Sequence, residues 1–218
     1  MIWVFDLDDT LYNEKEFVLN GYFKVAKYLK KKFKINNSYN EIKKIHFSRG
    51  RKEIFNKILK KNNIFTLKTL NKCISIYRSN NIKLSLKPEI KKFLKKNIKK
   101  NYIVTDGMGH VQKLKIKNLN IKKYFNRIFY TGYYGKKARK PSLYCFQKIK
   151  KIENCRWSDI IYVGDNPHKD FKNLNKKNVL TIRIKKGLYR NVVVKKKDDA
   201  IVSIVNFNEL NKFVKKND

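Results

Sequence analysis

Two aspartates separated by a single residue, Asp6 and Asp8, lie close to the start of the chain, directly after the apolar run Ile2–Phe5. If the chain bends where that run ends, both carboxylates face one cleft, where one can attack phosphorus while the other handles the proton of the leaving oxygen. Neighbouring carboxylates push their pKa values apart, which suits an ionised nucleophile, Asp6, beside an acid and base, Asp8. The pattern therefore predicts phosphoryl transfer; the alternative is an acidic loop that caps the next helix.

A second polar segment, 164–170, has the sequence GDNPHKD and follows the apolar run 160–163. Acidic residues at the end of a buried strand, opposite the first cluster, make an oxygen-rich site that suits a hard cation. Mg²⁺ takes near-octahedral oxygen ligands and keeps several waters. The segment therefore predicts a magnesium site, and its expected protein ligands are Asp6, the backbone carbonyl of Asp8, and Asp165.

Two further side chains of this segment, Asn166 and Asp170, are candidates for a supporting role. Asp170 is the weaker candidate for a metal ligand, and its expected role is to orient the other groups or to hold a neighbouring loop. The alternative for the whole segment is a turn in which Asp165 and Asn166 cap a helix begun by Pro167. Because the segment is paired with the acidic cluster at the start of the chain, the metal-binding interpretation is favoured.

Phosphate-binding groups are predicted at two other points of the chain. Thr105, Asp106 and Gly107 follow a third apolar run. A hydroxyl beside a glycine at a strand end can hold phosphate oxygens together with backbone N–H groups, although an Asp-Gly pair is also an ordinary turn. Lys140 is the candidate for the cation that offsets the charge of two carboxylates and a phosphoryl group, and the adjacent Arg139 offers the same charge.

The elements that must position these residues are short apolar runs, each followed by a turn and a helical pattern. Buried strands that alternate with helices predict an α/β fold: a Rossmann-like, doubly wound parallel sheet that binds ligands outside the carboxyl ends of its strands. The polar clusters at Asp6, Thr105 and Asp165 each follow one of these runs. The runs lie at 2–5, 102–105, 128–131, 160–163 and 179–184, with a weaker sixth at 201–205.

A long lysine-rich segment, 13–86, interrupts this alternation with helical patterns and no buried-strand signal. We interpret it as a small all-helical cap domain inserted into an α/β catalytic core formed by 1–12 and 87–218. Pro88 restarts the core by opening a helix. Candidate specificity residues on the cap, with an exposed helix face or turn as the alternative, are His46, Ser48, Arg49 and Arg51.

The chain carries a formal net charge of +37, from 54 lysines and arginines against 17 aspartates and glutamates. A polyanion partner, nucleic acid or an anionic membrane surface, is one explanation. Only eight of the 54 are arginines, the better reader of phosphates and bases, and the lysines are spread along the whole chain. A compositional bias toward lysine is therefore favoured, and a nucleic-acid partner stays open without being favoured.

The three cysteines have no metal-type spacing, so neither zinc nor a disulfide framework is expected. The acidic cluster begins too early for a signal peptide, and no apolar run approaches the roughly 20 residues that span a bilayer. We therefore expect a soluble cytoplasmic protein without a membrane partner. Nothing in the pattern indicates an oligomeric state.

In this order, the four motifs resemble those of the haloacid dehalogenase-like hydrolase superfamily, in its phosphatase form with a helical cap between the first two motifs. DLDDT at 6–10 resembles the first motif, Thr105 the second, Lys140 in KPSLYCF the third, and GDNPHKD at 164–170 the fourth. The sequence QKLKIKNLNI at 112–121 also fits the pattern that follows the second motif. The resemblance implies that Asp6 is the nucleophile and Asp8 the acid and base. It also implies that Thr105 and Lys140 bind the phosphate, and that Asp6, Asp8 and Asp165 bind magnesium.

The resemblance favours phosphate transfer over dehalogenation, because the halide-releasing members lack the second carboxylate, which this chain keeps as Asp8. Asp106 departs from the asparagine that is frequent in relatives, so its contact with substrate is open. The expected activity is that of a Mg²⁺-dependent phosphatase that forms an aspartyl-phosphate and acts on a small metabolite such as a nucleoside monophosphate or sugar phosphate. The alternatives are a phosphatase for nucleic-acid ends and a non-catalytic regulatory module on the same fold.

Overall fold

The structure is a computed structural model that describes residues 1–50, 53–96 and 100–214. One of the candidate specificity residues, Arg51, lies outside these described residues. Within the three ranges, no helix is both long enough and apolar enough to cross a bilayer.

The larger of two compact units contains Met1–Glu14 and Lys83–Asp218 and is built on one sheet of six parallel strands. The strands are β1 Ile2–Phe5, β2 Asn101–Thr105, β3 Arg127–Tyr130, β4 Ile160–Gly164, β5 Leu180–Ile184 and β6 Val202–Ile204. Their order across the sheet is β3-β2-β1-β4-β5-β6, so the chain winds from the centre first to one edge and then to the other. This is the doubly wound arrangement of Rossmann-like folds, and the predicted α/β fold class is confirmed.

The described residues form eight α-helices. The first four belong to the smaller unit, Lys15–Ile82, except that Glu14, the first residue of the first helix, belongs to the larger unit. The other four lie between strands of the larger unit. The helices are α1 Glu14–Phe33, α2 Ser38–Arg49, α3 Ile54–Lys61, α4 Leu67–Arg78, α5 Pro88–Lys96, α6 Gly109–Leu119, α7 Tyr144–Glu153 and α8 Lys172–Asn175. The helix predicted to open at Pro88 does begin there, where the fixed φ of proline suits the first helical turn.

The central strand β1 is apolar throughout because its two faces are both buried. Successive side chains of a strand point to opposite faces. Ile2 and Val4 therefore pack on one face with Phe146 of α7. Phe5 stands on the other face against Phe93 of α5, with their ring centroids 6.3 Å apart. The sheet is thus covered on both sides, as the continuous apolar runs require.

The register of the sheet brings the ends of three strands to one place. Phe5, the last residue of β1, lies opposite Ile103 of β2 and Val163 of β4. Since all three strands run parallel, the residues that follow them leave the sheet at the same carboxyl edge. Asp6 and Asp165 therefore leave adjacent strands at neighbouring positions, although 158 residues separate them along the chain.

The smaller unit, Lys15–Ile82, has a core of its own. Buried side chains from all four helices meet there, including Tyr22 and Leu29 of α1, Ile58 of α3 and Cys73 of α4. The start of α4 is capped by Thr66, whose hydroxyl accepts from the backbone N–H of Thr69 at 3.0 Å. Such a cap satisfies one of the backbone donors that a helix start leaves unpaired.

Two of the candidate specificity residues have partners inside this helical unit. The hydroxyl of Tyr22 and Nδ1 of His46 lie 3.2 Å apart. The hydroxyl of Ser48 donates to the carbonyl of Lys44 in its own helix at 2.9 Å. These contacts are those of side chains on or under a helix face, and their part in substrate selection stays a prediction.

Candidate active site

Asp6 is carried on backbone that the sheet holds in place. Its N–H donates to the carbonyl of Val163 in β4 at 2.8 Å, so pairing between β1 and β4 continues one residue past the end of β1. The residue is buried, and its Oδ1 lies 2.8 Å from Nζ of Lys140. A buried carboxylate beside an ammonium group has a fixed orientation and a counter-ion, which suits the predicted role of nucleophile.

Lys140 brings positive charge to the centre of the site. Its Nζ lies 2.8 Å from carboxylate oxygens of Asp6 and Asp170 and donates to the hydroxyl of Tyr162 at 2.8 Å. Burial by itself would lower the pKa of this amine, but Asp170 and Asp6 raise it well above its ordinary value, so the ammonium stays charged. Arg139, the alternative that the sequence left open, is exposed to solvent.

Three buried aspartates, Asp6, Asp165 and Asp170, present carboxylate oxygens that lie within 4.8 Å of one another. Burial raises the pKa of Asp6 to about 6 and that of Asp165 to about 9, and neighbouring carboxylates add to the effect. Burial would also raise the pKa of Asp170, but Lys140 and Lys169 hold it below its ordinary value. The cluster therefore gathers more carboxylate charge than its surroundings stabilise.

This cluster has the donor set that a hard divalent cation needs. Asp170 is already engaged, because its Oδ1 lies beside Lys140 and its Oδ2 accepts from the backbone N–H of Asn166 at 2.9 Å. The pKa values of Asp6 and Asp165 are raised, so their ionised forms are poorly stabilised by the protein alone. A positive charge placed beside them would favour those ionised forms. Ionised oxygen ligands are those that Mg²⁺ prefers, so the residues present fit a magnesium ion.

Asn166 shapes the turn that carries Asp165. Its side-chain oxygen accepts from the backbone N–H of His168 at 3.0 Å, and its carbonyl accepts from the backbone N–H of Asp170 at 3.0 Å. The turn is tight: a Cβ added at Gly164 would lie 2.5 Å from Oδ2 of Asp170. The segment thus holds two aspartates at the end of β4, and Asn166 acts on them through the backbone.

Thr105 lies at the carboxyl end of β2, and its hydroxyl has no partner among the described residues. Its Oγ1 is buried and makes no hydrogen bond to any residue that the structure describes. Native proteins pair nearly all buried polar groups, so such a hydroxyl needs an explanation. The hydroxyl lies at the strand end where phosphate binding is predicted, and its role there stays a prediction.

The two residues that follow Thr105 have structural contacts. One oxygen of Asp106 accepts from the hydroxyl of Thr131 at 2.7 Å and from the backbone N–H of Lys140 at 3.1 Å. Gly107 has a φ of +131°, and a Cβ there would lie 2.6 Å from the side-chain nitrogen of Gln112. Glycine suits this backbone conformation and this close approach. Asp106 therefore ties the end of β2 to the loop that carries Lys140.

Asp8 lies two residues beyond Asp6, and three donors hold its carboxylate. Oδ1 accepts from the hydroxyl of Tyr12 and from Nζ of Lys115, both at 2.7 Å, and Oδ2 accepts from Nε2 of Gln112 at 2.9 Å. Gln112 and Lys115 are three residues apart on α6, so one face of that helix orients the carboxylate. The predicted acid and base is thus fixed in one direction.

Several residues of the site were not identified from the sequence, among them Tyr162, Lys115 and Lys169. Tyr162 lies inside β4, where an aromatic residue is expected in the core, yet its hydroxyl reaches Lys140. Nζ of Lys169 lies 3.6 Å from Asp106. Burial and Lys140 would lower the pKa of Lys169, but nearby carboxylates raise it above its ordinary value. Because the chain has 54 lysines and arginines, the presence of a lysine at a given position does not indicate a function.

Comparisons with known proteins agree with this geometry. A sequence model of the family described as haloacid dehalogenase-like hydrolases matches residues 3–184. The glyceraldehyde 3-phosphate phosphatase of Methanocaldococcus jannaschii is 26% identical over 204 residues, which cover 87% of this chain and 86% of that protein.

Two solved structures share the fold over nearly their full length. The HAD-hydrolase YfnB of Bacillus subtilis, solved bound to magnesium, has a TM-score of 0.69 and 17% sequence identity, over 97% of each chain. A structure described as a predicted phosphoglycolate phosphatase, from Haemophilus somnus, has a TM-score of 0.67 and 18% identity, over 97% of this chain and 96% of that one. At these identities the similarity is one of fold.

Proposed function

Because this chain belongs to the haloacid dehalogenase-like hydrolase family and is a hydrolase of the phosphatase type, we propose that it removes phosphate from a small phosphorylated metabolite through an aspartyl-phosphate on Asp6. The observation that carries the proposal is the buried carboxylate of Asp6 beside Lys140, with Asp165 in the same carboxylate cluster. That arrangement supplies a nucleophile, a cation for the phosphoryl oxygens and a further oxygen ligand for a metal.

In the proposed first step, a carboxylate oxygen of Asp6 attacks phosphorus, and the bond between phosphorus and the leaving oxygen breaks. The electron pair of that bond stays on the leaving oxygen, which takes a proton from the carboxyl group of Asp8. Lys140 offsets the negative charge on the phosphoryl oxygens, and the hydroxyl of Thr105 donates to one of them. The products are an alcohol and the aspartyl-phosphate.

In the proposed second step, the oxygen of a water molecule attacks phosphorus while one proton of that water passes to Asp8. The bond between phosphorus and Asp6 breaks, and its electron pair returns to the carboxylate. Phosphate leaves, and Asp8 ends protonated, as the next first step requires. Over both steps, one phosphate ester and one water yield one alcohol and one phosphate.

Mg²⁺ is the proposed cofactor, held by Asp6, Asp165 and the backbone carbonyl of Asp8, with Asn166 and Asp170 supporting the turn. When bound, it supplies positive charge for the oxygens around phosphorus. Support comes from the raised pKa values of Asp6 and Asp165, since a cation beside them would stabilise their ionised forms.

Metal binding should appear as a gain in thermal stability that depends on Asp165. The pKa of Asp165 in the folded protein, about 9, lies above its ordinary value of 3.8. Between pH 3.8 and pH 9, unfolding therefore releases a proton, and the free energy of unfolding of the metal-free protein should fall as pH rises through this range. Calorimetry at pH 7 should therefore show Asp165→Asn melting above the metal-free parent. Mg²⁺ should raise the melting temperature of the parent and leave that of the variant unchanged.

The control is Asp159→Asn, since Asp159 lies at the amino end of β4, the opposite edge of the sheet, and asparagine can still accept its bond from Arg156. This variant should keep the parent's response to Mg²⁺. A response of normal size in Asp165→Asn would take Asp165 out of the metal site.

Replacing Thr105 with valine should weaken phosphate binding without weakening the fold. Valine keeps the shape of the side chain and removes a hydroxyl that no described residue satisfies, so the free energy of unfolding should stay the same or rise. Loss of one donor to a charged oxygen should raise KM, and the inhibition constant of inorganic phosphate, about 10-fold. Steady-state kinetics on an aryl phosphate and thermal melts measure the two effects.

Thr131→Val is the matched comparison, because the Thr131 hydroxyl donates to Asp106 and its loss should cost stability. If Thr105→Val loses stability in the same way and keeps the parent's affinity for phosphate, the Thr105 hydroxyl serves the fold instead of the ligand.

The proposed substrate is a small phosphate ester such as a sugar phosphate or a nucleoside monophosphate, and the helical unit is proposed as the cap that selects it. Glyceraldehyde 3-phosphate and phosphoglycolate belong in the first panel because similar proteins carry those names. We expect at least one metabolite to be hydrolysed with a kcat/KM well above that of 4-nitrophenyl phosphate. Activity should require Mg²⁺ and vanish with a chelator.

The same panel decides between this function and its alternatives. A strong preference for 5′- or 3′-phosphorylated oligonucleotides, with a steep loss of activity in salt, would assign the enzyme to nucleic-acid ends and give the charge of +37 a role. No turnover of any ester with Mg²⁺ present would indicate a non-catalytic module.

A further inference from the structure

We propose that Lys115 of α6 is a positioning residue for the second half of the reaction: with Tyr12 it fixes Oδ1 of Asp8, so that Oδ2 is the oxygen that takes the proton from water. The role depends on the proposed function, in which Asp6 carries the phosphoryl group and Asp8 acts as the base.

Lys115 differs from the lysines around it. It is 3% exposed, whereas Lys113 and Lys117 on the same helix are exposed to solvent. Its Nζ lies 2.7 Å from Asp8 and 3.0 Å from Oε1 of Glu14. Burial of a lysine is costly unless the charge is paired, so a residue kept here in place of an apolar one indicates a specific demand for its ammonium group.

The contacts of Asp8 are distributed unequally over its two oxygens. A carboxylate offers about four acceptor positions, two on each oxygen. Among the described residues, Oδ1 accepts from both Tyr12 and Lys115, whereas Oδ2 accepts only from Gln112. Gln112 is held in turn by a second bond, from its Nε2 to the carbonyl of Asp106 at 2.7 Å. The open acceptor position therefore lies on Oδ2, in a direction set by two anchored donors on Oδ1.

An activated ester isolates the step in which this direction matters. In 2,4-dinitrophenyl phosphate the leaving oxygen departs as a stable phenolate and needs no proton, so transfer of the phosphoryl group to Asp6 does not require Asp8. The attack of water still does: its oxygen bonds to phosphorus, the bond to Asp6 breaks, and one proton passes to Oδ2 of Asp8. Loss of the Lys115 anchor should then slow only the release of phosphate from the enzyme.

The experiment compares Lys115→Met with the parent on 2,4-dinitrophenyl phosphate in Mg²⁺. We expect kcat to fall about 10- to 100-fold, because a positioned general base contributes about 10²- to 10⁴-fold and the variant keeps the base without its anchor. The ratio kcat/KM, which reports steps up to phenolate release, should stay within about 3-fold, so KM falls with kcat. Rapid mixing should show a burst near one phenolate per site, and phosphate-labelled enzyme should accumulate.

Two further variants control for general disruption. Lys113→Met removes an exposed lysine from the same helix and should behave as the parent. Tyr12→Phe removes only the second donor to Oδ1 and keeps the ring; it should show the same pattern with a smaller fall in kcat, about 3- to 10-fold. If Lys115→Met gives no cooperative melting transition, Tyr12→Phe decides the matter.

The possible outcomes separate the two levels of the proposal. Equal falls in kcat and kcat/KM without a burst, or an unchanged kcat in folded Lys115→Met, would overturn the positioning role while leaving the phosphatase intact. A parent enzyme that turns over esters without ever acquiring label on Asp6 would overturn the proposed function itself.

Discussion

Replacing Asp6 with asparagine should reduce phosphate release by about 10⁴-fold or more, the scale on which loss of a catalytic nucleophile acts. The amide keeps the size of the side chain and its place at the end of β1, but its oxygen does not form the aspartyl-phosphate. The fold should survive, because burial already raises the pKa of Asp6 to about 6 and the charge of this residue is not what stabilises it. Phosphate release from an aryl phosphate in Mg²⁺ and a circular dichroism melt measure both effects.

Asp159→Asn, the same chemical change at the amino edge of the sheet, should keep full activity. Incubation with labelled ester should leave label on the parent and none on Asp6→Asn. Activity of Asp6→Asn close to that of the parent, or label retained by it, would remove Asp6 from its assigned role.

Replacing Lys140 with methionine should damage activity and stability together. The variant keeps the length of the side chain but leaves the buried carboxylates of Asp6 and Asp170 without the ammonium group 2.8 Å from each. Removing one partner of a buried ion pair costs about 3–5 kcal/mol in the free energy of unfolding. Loss of the cation that offsets phosphoryl charge should lower kcat/KM by about 10³-fold. Denaturant titration without metal and steady-state kinetics with Mg²⁺ measure the two losses.

The stability loss in Lys140→Met should depend on pH in a definite direction. Lys140 holds the folded pKa of Asp170 below its ordinary value, so the stability contributed through Asp170 is present at neutral pH and is lost as pH falls through that folded pKa. The difference in unfolding free energy between parent and variant should therefore be large at pH 7 and shrink in acid.

Lys137→Met is the matched control, since Lys137 is an exposed lysine three residues earlier in the same loop. It should change neither stability nor kinetics. A Lys140→Met variant with the parent's unfolding free energy and kcat/KM would show that the buried contacts are dispensable. It would assign the cation to another residue, and Lys169, whose pKa Asp6 and Asp170 raise, is a candidate.

Much of the fold could be predicted from hydrophobic pattern alone. The run 2–5 coincides with β1, because a strand buried on both faces must be apolar at every position. The run predicted at 128–131 differs from β3 by one residue at each end, and the run at 179–184 differs from β5 by one residue at its start. Hydrogen bonding to the neighbouring strand determines where a strand ends, and the sequence does not show that bonding.

The candidate site could be predicted only in part. Aspartates directly after buried strands are unusual enough to indicate chemistry, and parallel strands bring such residues to one edge whatever separates them along the chain. Lys115 and Lys169 have no such signal, because lysine is the commonest basic residue throughout the chain. Lys115 is distinguished by its burial and Lys169 by the carboxylates that surround it, and both of these are properties of packing.

The amino-acid sequence by itself therefore determined the class of the fold, the edge of the sheet at which the candidate site lies and the residue types that form it, because strand burial and strand direction act through local pattern. Only the tertiary structure decided which groups meet there. It placed Lys140 between Asp6 and Asp170, left the hydroxyl of Thr105 without a described partner, and set α6 against Asp8. Such contacts depend on distances of a few ångströms between segments far apart in the chain, and no local pattern encodes those distances.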